Sequence, residues 1–151
     1  TAGTSSPLTD GAAAVIVCSE NYAKTNNLKI MAYIRGMAIS GCSPEIMGIG
    51  PVLSSQKALK RAGIDLKDID IFEMNEAFAA QSLACVKELG IDMSKLNIHG
   101  GAISMGHPLG ASGARITGKA ASLLQETGKK YALSTMCVGG GQGCATVLER
   151  A

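Results

Sequence analysis

Short apolar segments alternate with segments of helical spacing along the whole chain, and this alternation constrains the fold more than any other feature. The apolar segments predict strands and the amphipathic ones predict helices. The expected strands are 12–18, 29–39, 69–74, 131–138 and 145–149, with a brief extension at 96–99, and the expected helices are 20–26, 52–61, 76–89 and 110–126. This order predicts an α/β fold with βαβαβαββ succession, in which helices cover the faces of a mostly parallel mixed sheet.

The composition of the chain argues against several classes of function. A chain of 151 residues with 46% hydrophobic residues can bury a core, and a net charge of +2 gives no reason to expect binding to nucleic acid or to a membrane. The longest apolar run, 12–18, is too short to span a bilayer. Five cysteines without a CxxC pair predict reduced thiols, a cytoplasmic location and no metal site.

A histidine lies inside a run of small residues, NIHGGAISMGHPLGASGAR, at 97–115. Gly106 before it permits backbone angles that other residues avoid, and Pro108 after it restricts the next angle. The run then enters a predicted helix. A histidine held in this way is suited to proton transfer, so His107 is the first candidate catalytic residue.

Two further motifs carry polar groups at strand ends. Cys137 ends an apolar segment and precedes the glycine-rich run 139–143, where bare backbone N–H groups could stabilise a developing oxyanion. Asn75, in NEAFA, lies where a strand gives way to a helix. It could bind a ligand or merely cap that helix. The other four cysteines are interpreted as packing residues.

These motifs, NEAFA, GHPLG and CVGGG, occur in the order typical of thiolases, which the chain resembles over essentially its whole length. The opening TAGTSSPLTDGAAAVIVCSE also resembles a thiolase segment, and EIMGIGPV resembles short-chain acetoacetyl-CoA thiolases. The resemblance implies that 1–27 supply the closing strand and helix of the thiolase N-terminal domain and that 28–151 form the C-terminal domain. The motif of the nucleophilic thiolase cysteine is not found in these residues, so the chain reads as a C-terminal piece that needs a complementary N-terminal half.

The thiolase resemblance implies a role for each motif residue. His107 would deprotonate the nucleophilic cysteine, and Cys137 would shuttle the α-proton of acetyl-CoA, with its pKa lowered by nearby dipoles. Asn75 would hold a water that, together with His107, donates to the thioester oxygen. The backbone N–H of Gly139 would contribute to a second oxyanion hole.

The resemblance also implies substrate contacts. Ser6 would lie near the pantetheine arm, and Ala77 and Phe78 would line the acyl pocket. Two positions depart from the usual family pattern, because Thr4 and His99 stand where asparagine is common. His99 is interpreted as a strand-end or surface residue.

The sequence therefore predicts part of an acetyl-CoA C-acetyltransferase, which catalyses the reversible Claisen condensation of two acetyl-CoA molecules. Coenzyme A thioesters are the expected substrates, no tightly bound cofactor is expected, and the full enzyme is expected to be a homo-oligomer. The isolated chain should be inactive without the N-terminal half. The alternatives are a 3-ketoacyl-CoA thiolase of fatty-acid breakdown and a non-catalytic acyl-CoA-binding or assembly subunit.

Overall fold

The computed structural model describes all 151 residues, which form five α-helices, four strands and four short 3-10 turns. The helices are α1 (Glu20–Thr25), α2 (Gly50–Ala62), α3 (Ala79–Leu89), α4 (Ala102–Met105) and α5 (Leu109–Thr127). The strands are β1 (Ala32–Gly41), β2 (Ile71–Met74), β3 (Tyr131–Val138) and β4 (Gln142–Arg150). The 3-10 turns are Ala2–Thr4, Pro44–Ile49, Leu66–Asp68 and Met93–Lys95.

The four strands form one mixed sheet in the order β1-β4-β3-β2. The prediction of an α/β fold with helices on the sheet faces is confirmed. The expected mostly parallel arrangement is not found, because only β2 and β3 run parallel. The glycine turn makes β3 and β4 an antiparallel hairpin, and β1 pairs antiparallel with the outer side of β4.

The strand expected at 12–18 is absent, which corrects the sequence prediction. These residues form no regular element and are exposed, and Val15, Ile16 and Val17 have 46%, 83% and 71% of their surface accessible. No strand of the sheet lies beside them. A strand needs a neighbour for its backbone hydrogen bonds, so apolar character alone does not produce one here. The segment expected at 96–99 makes only one bridge, from Leu96 to Phe72.

Two apolar clusters pack on opposite faces of the sheet, because successive side chains of a strand point to opposite sides. The cluster beneath α2 and α3 includes Phe72, Leu133 and Val147. The cluster beneath α5 includes their chain neighbours Ile71, Ala132 and Leu148. The sheet therefore carries helices on both faces, in three layers, and β1 keeps exposed side chains on the α5 side.

Helix α5 runs antiparallel to β3, and this direction positions the site. Near its beginning, Gly113 lies beside Met136 at the carboxyl end of β3, and a side-chain carbon added to this glycine would be 3.8 Å from the methionine sulfur. One turn later, the Oγ1 atom of Thr117 is 3.1 Å from the Oγ atom of Ser134. The residues that precede α5 therefore lie at the carboxyl ends of β2 and β3.

Helices α2 and α3 each end at a glycine. α2 begins at Gly50, with Pro51 in its first turn, and ends before Gly63, whose φ is +67°. α3 ends before Gly90, whose φ is +72°. Both glycines suit a helix stop, since glycine adopts the left-handed conformation without strain. None of the helices combines the length and the apolar character needed to cross a membrane.

Candidate active site

Three polar residues from separate parts of the sequence lie at one edge of the sheet. Asn75 follows β2, and Cys137 is the penultimate residue of β3. Because these strands are parallel neighbours, their carboxyl ends coincide, and the backbone N–H of Asn75 donates to the carbonyl of Thr135 at 3.0 Å. His107 lies two residues before α5, whose first turns cover the same ends. The fold thus brings the three predicted catalytic residues to a common edge.

A serine orients the imidazole of His107. Its Nδ1 atom is 2.6 Å from the Oγ atom of Ser112, and that hydroxyl donates to the carbonyl of Pro108 at 3.0 Å. When the single proton of the hydroxyl points to this carbonyl, Nδ1 carries the ring proton and donates it to the Ser112 oxygen. Nε2 is left with a free lone pair, so the imidazole can act as a base.

Protonation of His107 is disfavoured by its surroundings. Partial burial lowers the pKa of His107 below its usual value, and the positive charge of Arg115 lowers it further. The ring is therefore neutral at neutral pH. A neutral ring with a free Nε2 atom is the form that a general base requires.

Cys137 is a buried thiol with 5% of its surface exposed, and by alternation with Leu133 it faces the α2 and α3 side of the sheet. Burial raises the pKa of Cys137, and a backbone hydrogen bond lowers it by a smaller amount. The sequence expectation of a lowered pKa is therefore wrong for this chain, because desolvation outweighs the nearby dipoles. Cys137 is accordingly a neutral thiol that can donate a proton.

Asn75 is 1% exposed, and neither its Oδ1 nor its Nδ2 atom has a hydrogen-bond partner in the protein. It does not cap α3, which begins four residues later at Ala79 with Phe78 as its N-cap. Buried amides without partners are rare because each unmade hydrogen bond costs free energy. The Asn75 amide is thus available to a water or a substrate atom.

Gly139 begins the turn between β3 and β4, directly beyond the strand that carries Cys137. It is exposed, and no protein atom lies within 4 Å of where a side chain would begin. Gly141, at the far side of the turn, has a φ of +87° and its carbonyl accepts from the N–H of Cys42 at 2.7 Å. The turn is therefore held by a backbone hydrogen bond at Gly141, whereas Gly139 is exposed.

The three predicted substrate contacts also lie together. The backbone N–H and the hydroxyl of Ser6 both donate to the carbonyl of Ala77, at 3.0 and 3.3 Å. A bridge between Ser5 and Phe78 continues this pairing. Ala77 is buried, whereas the Phe78 side chain is 46% exposed. The N-terminal segment thus runs along the NEAFA loop.

A cleft of about 450 Å³ lies beside the residues that follow His107. It is lined by 9–13 of the N-terminal segment and by 108–111. Gly11 approaches Pro108 so closely that an added side-chain carbon would lie 2.9 Å from the proline ring. The cleft offers space for a ligand next to the histidine loop.

The two atypical positions lie apart from this chemistry. Thr4 bonds only to Thr1, within the N-terminal turn. His99 is exposed, and its Nε2 atom is 3.6 Å from a carboxylate oxygen of Glu126 on α5. His99 is therefore a surface residue, as its sequence context predicts. No cluster of three or more potential metal ligands is present.

Sequence reasoning missed three residues that support the site. Ser112, in GASGAR, orients His107, and the only available signal was its position in the first turn of the predicted helix. Glu76 and Asn97 hydrogen-bond to each other at 2.8 Å. Asn97 was visible as the first residue of the glycine-rich run, but its distance along the chain from the NEAFA motif concealed the contact.

Comparisons with known proteins agree with this geometry. The family model of the thiolase C-terminal domain matches residues 28–150. A 3-ketoacyl-CoA thiolase from Vibrio parahaemolyticus is 58% identical, over 99% of this chain and 39% of its own length. The crystal structure of human mitochondrial 3-ketoacyl-CoA thiolase in complex with CoA matches with a TM-score of 0.98 and 51% identity, over 100% of this chain and 38% of that one.

A third match is the crystal structure of the Bacillus anthracis acetyl-CoA acetyltransferase, with a TM-score of 0.97 and 43% identity, over 100% of this chain and 38% of that one. The chain thus spans about two fifths of the length of the relatives that it matches. The family match covers most of the chain, and the sequence motifs and the fold agree with it. The chain belongs to the thiolase family, and it corresponds to the C-terminal part of these proteins.

Proposed function

We propose that this chain supplies the acid and base residues of a 3-ketoacyl-CoA thiolase, which cleaves a 3-ketoacyl-CoA with coenzyme A. The observation that carries this proposal is the placement of His107, Cys137 and Asn75 at one edge of the sheet. The names of the relatives from Vibrio and human mitochondria favour this activity over the acetyl-CoA C-acetyltransferase predicted from the motifs.

His107 acts first in the proposed reaction. Its neutral ring takes the proton of a nucleophilic cysteine carried by the N-terminal half, and the thiolate attacks the 3-keto carbon of the substrate. The carbon–carbon bond breaks, which leaves an acyl group on that cysteine and a carbanion at the α-carbon of acetyl-CoA. The neutral thiol of Cys137 protonates this carbon and becomes a thiolate. This thiolate takes the thiol proton of coenzyme A, whose sulfur attacks the acyl group, and the released cysteine thiolate recovers the proton held by His107.

Asn75 and Gly139 stabilise negative charge in this scheme. The unpartnered amide of Asn75 holds a water that donates, together with His107, to the thioester oxygen of the acetyl-CoA carbanion. The backbone N–H of exposed Gly139 donates to the oxygen that forms on the acyl-enzyme side. One such donor is worth about 3 kcal/mol of transition-state stabilisation.

Substrate and partner contacts complete the proposal. Coenzyme A thioesters are the substrates, with the pantetheine arm near Ser6 and the acyl chain near Ala77 and Phe78. A complementary N-terminal half supplies the nucleophile. Residues 1–27 pack with it as its closing strand and helix, because that half gives 12–18 the neighbouring strand that this chain lacks. The exposed side chains of Met37 and Ile39 on β1 support such a partner, since they are 57% and 75% accessible.

A second candidate is the acetyl-CoA C-acetyltransferase, which the EIMGIGPV motif and the match to the Bacillus anthracis enzyme favour. Both candidates use the same acid and base residues. They differ in the acyl length that is accepted, so a chain-length series separates them.

The test is a thiolysis assay of this chain combined with the N-terminal half of a 3-ketoacyl-CoA thiolase. Acetyl-CoA release is measured with 3-ketoacyl substrates of four, eight and sixteen carbons. Cleavage of the longer substrates supports the first candidate, and cleavage of acetoacetyl-CoA alone supports the second. His107→Ala should abolish turnover, with exposed His99→Ala as the matched control. A confirmed assembly that binds acyl-CoA without turnover would instead support a binding or assembly subunit.

A further inference from the structure

Glu76 follows Asn75 directly and accepts two hydrogen bonds from residues far along the chain. Its Oε1 atom accepts from the Nδ2 atom of Asn97 at 2.8 Å. Its Oε2 atom accepts from the backbone N–H of Ile103 at 3.1 Å. Neither bond is used in the chemistry proposed above. Each carboxylate oxygen therefore connects the NEAFA loop to a different point of the loop that leads to His107.

Asn97 is in turn clamped to the end of β2. Its Oδ1 atom accepts from the N–H of Met74, and its Nδ2 atom donates to the Met74 carbonyl, both at 2.9 Å. Its own N–H donates to the carbonyl of Phe72 at 2.8 Å. Asn97 is 8% exposed and has a φ of +45°, which is uncommon for a residue other than glycine. The first end of the loop is thus firmly attached to β2.

Ile103 marks the other end of the loop. It lies in the first turn of α4, which ends at Met105, two residues before His107. The carboxylate of Glu76 also occupies the space above Gly101, so that a side-chain carbon there would overlap it. A side chain at 101 would therefore displace the carboxylate from this position. The contacts of Glu76 transmit the position of β2 to the peptide that precedes His107.

We propose that Glu76 is a positioning residue, which sets the distance between Asn75 and His107 by holding Asn97 and Ile103 at once. Only the kinetic effect expected of Glu76 rests on the proposed thiolase activity; its link between the two loops does not. Asn75, through its water, and His107 must donate to one substrate oxygen, so a change in their separation weakens transition-state stabilisation. Substrate binding depends on other contacts and is unaffected.

The chemistry of the contacts requires a carboxylate. Both partners of Glu76 are N–H donors, and a carboxylate offers two acceptor oxygens, whereas a carboxamide offers one oxygen and one NH₂ group. Glu76→Gln must therefore place a donor against a donor at one of the two contacts. Glu88→Gln is the matched control, because Glu88 is an exposed residue of α3 and makes no ion pair or side-chain hydrogen bond.

The kinetic test uses the complete thiolase that contains this chain. Glu76→Gln should lower kcat by about 10- to 100-fold at unchanged KM for coenzyme A, and Glu88→Gln should change neither. Amide hydrogen exchange provides a readout that needs no turnover. The Ile103 amide should exchange about tenfold faster in Glu76→Gln, while the amides of β3 keep their protection.

Each outcome separates the inference from the proposed function. An active wild-type enzyme in which Glu76→Gln and Glu88→Gln behave alike would overturn the positioning role. Loss of the folded state in both Glu76→Gln and the shorter Glu76→Asp would also overturn it, since the carboxylate would then serve stability. An inactive wild-type enzyme, or full activity in His107→Ala, would refute the proposed function alone, and the Ile103 exchange result would still decide the structural link.

Discussion

Glu73 should make the folded chain less stable as the pH rises, and replacing it by glutamine should remove this effect. Glu73 lies on β2 beneath α5, with 3% of its surface exposed, and its Oε1 atom has no hydrogen-bond partner. The Nζ atom of Lys119 is 3.9 Å from that oxygen. Burial raises the pKa of Glu73 from 4.5 to about 7, although the charges of Lys119 and Arg115 oppose the increase.

The direction of this change in stability follows from proton binding in the folded and unfolded chains. Below pH 4.5 the carboxyl group is protonated in both the folded and the unfolded chain. Between pH 4.5 and about 7 the unfolded chain releases the proton while the folded chain retains it, so stability falls as the pH rises. At about 1.4 kcal/mol for each pKa unit, the loss across this window is about 3 kcal/mol. Above this window both states are ionised and the loss is complete.

The assay is urea unfolding of wild type and Glu73→Gln at closely spaced pH values across this window. The free energy of unfolding of the wild type should fall by about 3 kcal/mol more than that of Glu73→Gln. His107 titrates in the same range in both proteins, so its effect cancels in the difference. The exposed substitution Glu88→Gln should leave the wild-type profile unchanged. Parallel profiles for wild type and Glu73→Gln would refute the reasoning, because Glu73 would then be ionised in the fold and held by Lys119.

Three further predictions concern His107 and the core. Ser112→Ala should lower kcat about tenfold, because the Nδ1 proton of His107 loses its acceptor. Ser122→Ala, at an exposed position of α5, should leave kcat unchanged. ¹⁵N spectra that show an unchanged His107 tautomer in Ser112→Ala would contradict this. The kcat/KM of the complete enzyme should fall only as the pH drops below the usual histidine pKa, because the pKa of His107 is lowered in the protein without substrate. A profile of kcat/KM that already falls above pH 7 would contradict it. Leu124→Ala should lower the free energy of unfolding by about 2 to 5 kcal/mol in a urea titration, since Leu124 is fully buried between α5 and the sheet. Leu83→Ala, at an exposed position of α3, should lower it much less. Equal losses would show that the α5 core is not as described.

Local features could be predicted from the sequence because they depend on residues close together in the chain. The stops of α2 at Gly63 and of α3 at Gly90 follow from a left-handed conformation that glycine adopts without strain. The hairpin of β3 and β4 follows from the glycine turn. Proton-transfer roles for His107 and Cys137 were likewise proposed from their glycine-rich neighbours and from the family motifs.

Other features depended on contacts between distant residues. The sequence pattern could not show that β1 pairs antiparallel with β4, since that pairing joins segments far apart in the chain. The same limit applies to 12–18, whose apolar pattern is that of a strand but which has no neighbouring strand in this structure. An apolar pattern indicates that a segment can pair, whereas the direction and the existence of pairing depend on what lies beside it.

The family, the order of the motifs and the candidate catalytic residues follow from the sequence alone. The protonation of these residues and the contacts that support them follow from the folded arrangement. Burial raises the pKa of Cys137, the hydroxyl of Ser112 selects the His107 tautomer, and Glu76 joins two loops that are distant in sequence. Solvation and hydrogen-bond geometry set these properties, and both depend on the complete arrangement of neighbouring atoms.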